Sequence, residues 1–115
     1  MKRSAFTASA ALALLALAGG GNAQTLEDAR SAVRVRDFAT AARVYTTLSD
    51  RGDLQARYQL AMLYGSGNGV PRDTARAAAL MKDVAASGDA WAQYNYAQML
   101  DSGSGVPKDP AAARE

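Results

Sequence analysis

Four aspartates between residues 53 and 109 are the side chains best suited to acid–base chemistry. Glycoside hydrolysis, for example, uses two carboxyl groups, one of which must keep its proton near neutral pH. Each of these aspartates sits at the start of a predicted helix, where the helix dipole favours the ionised carboxylate over the protonated form that a general acid needs. We therefore interpret them as helix caps and predict no catalytic residue among them. The four are Asp53, Asp73, Asp89 and Asp109.

A glycine-rich stretch from Gly65 through Gly67 to Gly69 has the pattern of a phosphate-binding loop. Such loops follow a strand and lead directly into a helix, often with a Lys at its start. Here a helix is predicted before the glycines and no Lys comes directly after them, so we interpret the stretch as a turn. The tripeptide Arg51-Gly52-Asp53 occurs in adhesion loops, but Gly52 and Asp53 are predicted to end one helix and to start the next.

The sequence contains neither His nor Cys. The usual zinc sites and the Ser-His and Cys-His nucleophile pairs are therefore excluded, and no S-x-x-K motif offers another nucleophile. We expect no enzyme, no cofactor and no metal site.

Residues 1–23 have the features of a secretory signal peptide. Lys2 and Arg3 precede an apolar run, and small residues precede a cleavage site between Ala23 and Gln24. The alternative is an uncleaved membrane anchor, but the run is shorter than the ~20 residues that a spanning helix needs. We expect export to the periplasm or the medium, with no stable membrane anchor after cleavage.

The charge of the chain does not indicate a nucleic-acid partner. The chain has 13 Lys and Arg against 11 Asp and Glu, and Lys2 and Arg3 account for the whole excess. Without the leader the protein is neutral, so its basic isoelectric point is no evidence for binding to nucleic acid or to anionic lipid.

A repeat of 36 residues organises the rest of the sequence. Gly52-Asp53 returns as Gly88-Asp89, and the segment SGNGVPRD at 66–73 returns as SGSGVPKD at 102–109. A fixed period of this length is typical of stacked helical hairpins. We predict an N-terminal hairpin (a degenerate repeat) over 24–51, a complete repeat over 52–87 and an incomplete repeat over 88–115.

Helix boundaries follow from capping residues and apolar spacing. We expect a first helix from Thr25 to about Arg36 and a second from Asp37 to the glycine at position 52. In the complete repeat we expect helix A from Asp53 to about Tyr64, a non-helical loop over 65–71 and helix B up to about Ser87.

The repeated pattern G-D-x-x-A-x-Y-x-L-A-x-x-Y-x-x-G-x-G-V-x-x-D-x-x-x-A resembles the Sel1-like repeat, a relative of the tetratricopeptide repeat. The resemblance implies an all-α, short α-solenoid in which antiparallel helix hairpins stack into a right-handed superhelix. It also implies adaptor or scaffold work rather than catalysis, as in exported bacterial members that regulate polysaccharide synthesis or sensor kinases. A cysteine-rich branch of the family binds penicillin, but this chain lacks the disulfides of that branch.

Helix A, the first helix of each repeat, lines the concave side of such superhelices. Its polar positions outside the buried apolar stripe are therefore the candidate groove for a partner. Trp91 stands where the preceding repeat has Gln55, and it is the strongest candidate for an interaction hot spot. The alternatives are an ordinary solvated face and, for Trp91, packing near Val84 and Ser87. The candidate partner-binding residues are Gln55, Gln59, Met62, Trp91, Asn95 and Gln98.

The incomplete repeat leaves an apolar surface without a predicted cover. We expect this surface to be covered by further repeats of a longer protein, by self-association, or by a fold-back of the last helix. Its residues are Tyr94, Ala97, Met99, Leu100 and Val106.

The sequence thus predicts an exported adaptor or scaffold, possibly regulatory, that binds another protein. A cell-wall glycan-binding module is the first alternative, and an enzyme acting on cell-wall glycan or a β-lactam is the second.

Overall fold

The computed structural model describes residues 24–114, so the predicted leader lies outside the described part of the chain. All regular structure in these residues is helical, which confirms the prediction of a short helical solenoid. None of the described helices is both long and apolar enough to traverse a bilayer. The helices are α1 (Leu26–Arg34), α2 (Phe38–Asp50), α3 (Leu54–Ser66), α4 (Thr74–Ala86), α5 (Ala90–Ser102) and α6 (Pro110–Ala113).

Each helix begins at a side chain that caps its first turn, as predicted. Thr25 forms a capping box with Asp28: its hydroxyl accepts from the Asp28 N–H, and the Asp28 carboxylate accepts from the Thr25 N–H. The other five caps are aspartates, each of which accepts from the backbone N–H three residues later. They are Asp37, Asp53, Asp73, Asp89 and Asp109.

The helices pair as α1/α2, α3/α4 and α5/α6, and each pair packs on the next. Small side chains at the crossings allow the helix axes to approach closely, because the methyl group of alanine occupies little space between the helices. Larger apolar side chains such as Tyr45, Leu60 and Met81 fill the space between the hairpins. Five alanines are fully buried: Ala29, Ala41, Ala56, Ala77 and Ala92.

Two helix ends differ from the sequence prediction. The first helix ends at Arg34, because Arg36 takes a left-handed conformation with φ of 60° and turns the chain towards α2. The loop predicted to begin at residue 65 begins later, because Gly65 and Ser66 form the last turn of α3. Gly65 faces Ala77 of α4, and Gly67 supplies the left-handed C-cap that ends the helix.

A glycine in each loop touches the preceding hairpin. Gly69 has φ of 79°, and a Cβ at this position would overlap the carbonyl oxygen of Phe38 at the start of α2. One period later, Gly105 makes the same approach to the carbonyl of Thr74 at the start of α4. These glycines therefore set the distance between successive hairpins as well as the shape of the turn.

A second repeated contact, made by side-chain hydrogen bonds, joins the end of one hairpin to helix A of the next. Arg57 of α3 donates through Nε to the hydroxyl of the buried Ser49 at 3.0 Å, and through Nη2 to the Ser49 carbonyl. At the equivalent position in α5, Gln93 donates to the Ala85 carbonyl at 3.3 Å. Both contacts give a second donor to a carbonyl group near a helix end, since Ser49 O and Ala85 O already accept from the backbone N–H groups of Gly52 and Gly88.

Candidate functional site

The six predicted partner-binding residues line two neighbouring depressions along α3 and α5. Gln55, Gln59 and Trp91 line the first, and Met62, Asn95 and Gln98 line the second. The sequence pattern therefore brings together side chains that share one side of the solenoid. Whether they bind a partner stays a prediction.

The first depression, which we call the tryptophan compartment, has a volume of about 500 Å³ and opens widely to solvent. Its wall combines two aromatic rings, amide side chains and one carboxylate. The lining residues are Leu54, Gln55, Tyr58, Gln59, Val84, Ser87, Asp89 and Trp91.

Trp91 is held at the edge of this compartment by the start of α5. It is the second residue after the Asp89 cap, whose carboxylate accepts from the Ala92 N–H at 2.9 Å and so fixes the first turn. The Trp91 side chain shares the compartment with Val84 and Ser87 but keeps 71% of its surface exposed. Trp91 thus lies beside Val84 and Ser87, as in the alternative of packing near them, but most of its side chain remains in solvent.

The second depression, which we call the methionine compartment, has a volume of about 380 Å³. Met81 lies fully buried in its floor, Met99 is half-buried, and Met62 is 47% exposed at its edge. The remaining lining residues are small or polar, apart from a single charged residue, Arg72. They are Ala61, Gly65, Ser66, Thr74, Ala77, Asn95, Gln98, Ser102 and Ser104.

One hydrogen bond separates the two compartments. Asn95 of α5 donates through Nδ2 to the Tyr58 hydroxyl of α3 at 2.6 Å and to the Trp91 carbonyl at 3.0 Å. Tyr58 lines the tryptophan compartment and Asn95 the methionine compartment, so their hydrogen bond lies at the boundary. It also fixes the spacing of α3 and α5, because it joins residues 37 positions apart.

Sequence reasoning missed Arg72, Met81 and Met99 as lining residues. Met81 is a fully buried core residue of α4 that also forms the floor of the depression. Arg72 was treated only as part of the repeated loop. A signal was present in the sequence, since Arg72 is the only basic residue of that loop and directly precedes the cap of α4.

Most carboxylates of the described chain cap helices, and others form ion pairs. The pKa of Asp37 is lowered because its carboxylate accepts from the hydroxyl and the backbone N–H of Thr40. The pKa of Glu27 is lowered by the hydrogen bond and the positive charge of Arg34. Within residues 24–114, no three acidic side chains lie close enough together to hold a metal ion.

Tyr94 belongs to the surface that the sequence predicts to lack a cover, and its side chain is exposed. Tyr94 is 58% exposed, whereas its counterpart Tyr58 is half-buried under α5. No described helix covers Tyr94 in the same way, and its hydroxyl accepts only from Gln98, one turn further along α5. The neighbouring Ala97, Met99, Leu100 and Val106 are half-buried, so the surface predicted to lack a cover is partly filled.

Comparison with known proteins places this arrangement among helical repeats. The sequence model described as "Sel1 repeat" matches residues 54–89 and 92–115. A crystal structure of a protective antigen from uropathogenic Escherichia coli, which displays an SLR fold, superposes with a TM-score of 0.63 at 32% identity. A Sel1 repeat protein from Oxalobacter formigenes superposes with a TM-score of 0.72 at 21% identity, which supports the fold alone.

These structural relatives are much longer than the present chain. The first match covers 66% of this chain and 16% of the antigen, and the second covers 77% of this chain and 36% of the Oxalobacter protein. A search of curated proteins found no match.

Proposed function

Because this chain belongs to the Sel1 repeat family, whose members generally mediate protein–protein interaction, we propose that it is an exported scaffold that binds another protein along α3 and α5. The two compartments are the binding surface in this proposal. Binding there holds the partner in place or in check, which is the regulatory form of the same function.

The exposed Trp91 is the observation that carries the proposal. A tryptophan with 71% of its surface in solvent forfeits much of the free energy that its burial supplies. Tryptophan is also among the residues most often found at the energetic centre of protein interfaces. The two compartments are open and shallow, as a surface for a protein segment requires, rather than closed around a small molecule.

Export is the second part of the proposal, and it rests on the leader-like residues 1–23. A fusion of the full chain to alkaline phosphatase tests it, because the disulfides of that reporter form only outside the cytoplasm. We expect an active fusion, and deletion of residues 1–23 should abolish the activity. A fusion that is inactive with the leader present would contradict export.

Catalysis is not part of the proposed function. Sel1 repeat proteins typically form non-catalytic scaffolds. The aspartates that line or flank the compartments are engaged in capping helices, as Asp89 caps α5 and Asp73 caps α4. This use of the carboxylates supports a binding role.

Affinity capture with the full chain tests the partner-binding proposal. The Trp91→Ala variant should lose at least one protein that the wild type retains from a native extract, and the purified partner should bind only the wild type. Val35→Ala is the matched control, because Val35 is 74% exposed but lies after α1, outside both compartments. A partner retained equally by wild type and Trp91→Ala would show that this surface is not the interface.

A cell-wall glycan is the second candidate ligand, because the tryptophan compartment places Trp91 and Tyr58 beside the amides of Gln55 and Gln59. Aromatic faces and amide groups can contact the apolar and hydroxyl sides of a sugar ring. Titration with soluble cell-wall fragments, followed by Trp91 fluorescence, distinguishes this candidate. A saturable change in the wild type that is absent from Gln55→Ala would favour the glycan.

A further inference from the structure

We propose that the methionine compartment binds a segment of the partner protein in which an apolar side chain is flanked by an aspartate or glutamate. This inference rests on the proposed function and specifies the chemistry of the partner. Its basis is the combination of an apolar floor and one unpaired positive charge in a single depression.

The floor accepts an apolar side chain. Met62 and Met99 offer unbranched, polarizable side chains that adapt to the shape of a bound group. Met81 is fully buried and fixes the base of the depression, while Met62 is 47% exposed at its edge. The volume of about 380 Å³ lies at the lower end of the range for ligand pockets and suits a side chain rather than a folded domain.

Arg72 selects the charge of the ligand. Of the residues that the structure describes, it is the only charged one that lines the methionine compartment, and none of them lines it with an acidic side chain. Among residues 24–114, Arg72 forms no ion pair. The neighbouring Asp73 is engaged elsewhere, since its carboxylate accepts from the Arg76 N–H at 3.0 Å. A guanidinium group offers five N–H donors to a carboxylate, so an acidic side chain is the group that this depression complements.

The amide residues fit a peptide backbone. Asn95 uses Nδ2 to donate to Tyr58 and Trp91, which leaves its carbonyl oxygen as an acceptor for a backbone N–H of the ligand. Gln98 donates through Nε2 to the Tyr94 hydroxyl at 2.9 Å. The second N–H of the same amide can donate to a backbone carbonyl of the ligand. The depression thus pairs side-chain specificity with groups that contact an extended chain.

The tryptophan compartment differs in charge, which makes the assignment specific. Its only charged residue is Asp89, so an acidic ligand group is disfavoured there. A partner segment that crosses both compartments therefore places its carboxylate at the Arg72 end and its uncharged residues beside Trp91.

Selection from a phage-displayed library of random peptides on the full chain tests the proposal. We expect enriched peptides to contain an apolar residue next to Asp or Glu. A synthetic peptide from the selection should bind with about tenfold lower affinity when its acid is replaced by the matching amide, and also when the protein carries Arg72→Gln. Binding of the acidic peptide should weaken as salt rises, because its ion pair is exposed.

Lys108→Gln is the matched control. Lys108 occupies the position of Arg72 in the next repeat and loses the same charge, but it lines neither compartment. This variant should bind the acidic peptide like the wild type. Equal weakening in both variants would mean that net charge rather than the site attracts the peptide, and would overturn the assignment.

Other outcomes separate this inference from the proposed function. If affinity capture retrieves a partner that depends on Trp91 while selected peptides show no acidic preference, the scaffold function stands and this inference is wrong. Enrichment of no peptide, or binding of soluble cell-wall fragments that Arg72→Gln abolishes, would also overturn it. If capture fails as well, the proposed function falls with it.

Discussion

Asn95 donates a hydrogen bond of 2.6 Å to the Tyr58 hydroxyl, and this bond joins helix A of one repeat to helix A of the next. It is a side-chain contact between α3 and α5, both of which otherwise pack on α4. Tyr58 and Asn95 are both only partly buried, so the bond lies at the surface where the two compartments meet. The bond thus belongs both to the stability of the solenoid and to the shape of the candidate site.

A double-mutant cycle measures the energy of this bond. We expect Tyr58→Phe to lower the free energy of unfolding by about 1 kcal/mol, since it removes one hydrogen bond. Asn95→Ala should cost more, because it also removes the hydrogen bond to the Trp91 carbonyl. The double variant should lose less than the sum, with a coupling of about 0.5–1.5 kcal/mol. Urea denaturation followed by circular dichroism gives these values. Strictly additive losses would mean that the two side chains do not interact in solution.

The loop glycines provide a second prediction. Gly69→Ala should destabilise the protein by more than the ~1–2 kcal/mol cost of a left-handed alanine, because the new Cβ also meets the Phe38 carbonyl. Gly52→Ala is the matched control: Gly52 also has a positive φ, of 94°, but nothing lies within 4 Å of a Cβ built there. Thermal unfolding of both variants gives the comparison. If they melt at the same temperature, the loop does not press on α2.

The sequence predicted the repeated parts of the fold more accurately than the parts that occur once. Asp and Gly recur at fixed spacing, and caps such as Asp53 and turns such as Gly88 depend on local geometry that residue type largely decides. The left-handed Arg36 was missed, because a non-glycine residue seldom adopts positive φ and the tight turn between α1 and α2 imposes it. The end of α3 was missed because packing against Ala77 favours keeping Gly65 helical.

The candidate site shows the same division. The periodicity of helix A assigned six residues to one side, and in the structure they line two neighbouring depressions. The contribution of Arg72 and of Met81 could not be read from that periodicity, because they come from the loop and from helix B. Exposure depends on the neighbouring repeat rather than on residue type: Tyr58 and Tyr94 occupy the same repeat position, but within residues 24–114 only Tyr58 has a following hairpin over it.

The cap of α2 gives a prediction for pH. The pKa of Asp37 is lowered in the folded protein from its ordinary value of 3.8, chiefly by the Thr40 hydroxyl. A lowered pKa means that the carboxylate stabilises the fold above its unfolded pKa, and that this stabilisation disappears as the pH falls through the folded pKa. The melting temperature should therefore fall between about pH 5 and pH 2, and Asp37→Asn should make that fall shallower.

Thr40→Val is the companion variant, because it removes the hydroxyl donor but keeps the backbone N–H that also reaches Asp37. It should produce a pH profile between those of the wild type and Asp37→Asn. Differential scanning calorimetry at several pH values measures all three. An Asp37→Asn profile parallel to that of the wild type would show that the cap contributes no pH dependence.

The last prediction concerns self-association. Tyr94 is 58% exposed at the position where its counterpart Tyr58 is covered by α5, and half-buried Ala97 and Leu100 line the same depression beside α6. In the preceding repeat, the equivalent surface around Tyr58 is covered by α5. We therefore expect a second copy of the chain to bind the surface around Tyr94 when no other hairpin does. Sedimentation velocity should show a concentration-dependent dimer, and Tyr94→Lys should shift it to monomer because a buried ammonium is costly. Val35→Lys makes the same charge change at an exposed apolar residue far from α5, and it should leave the dimer intact. A wild-type chain that sediments as a monomer at every concentration, with a melting temperature independent of concentration, would contradict self-association through this surface.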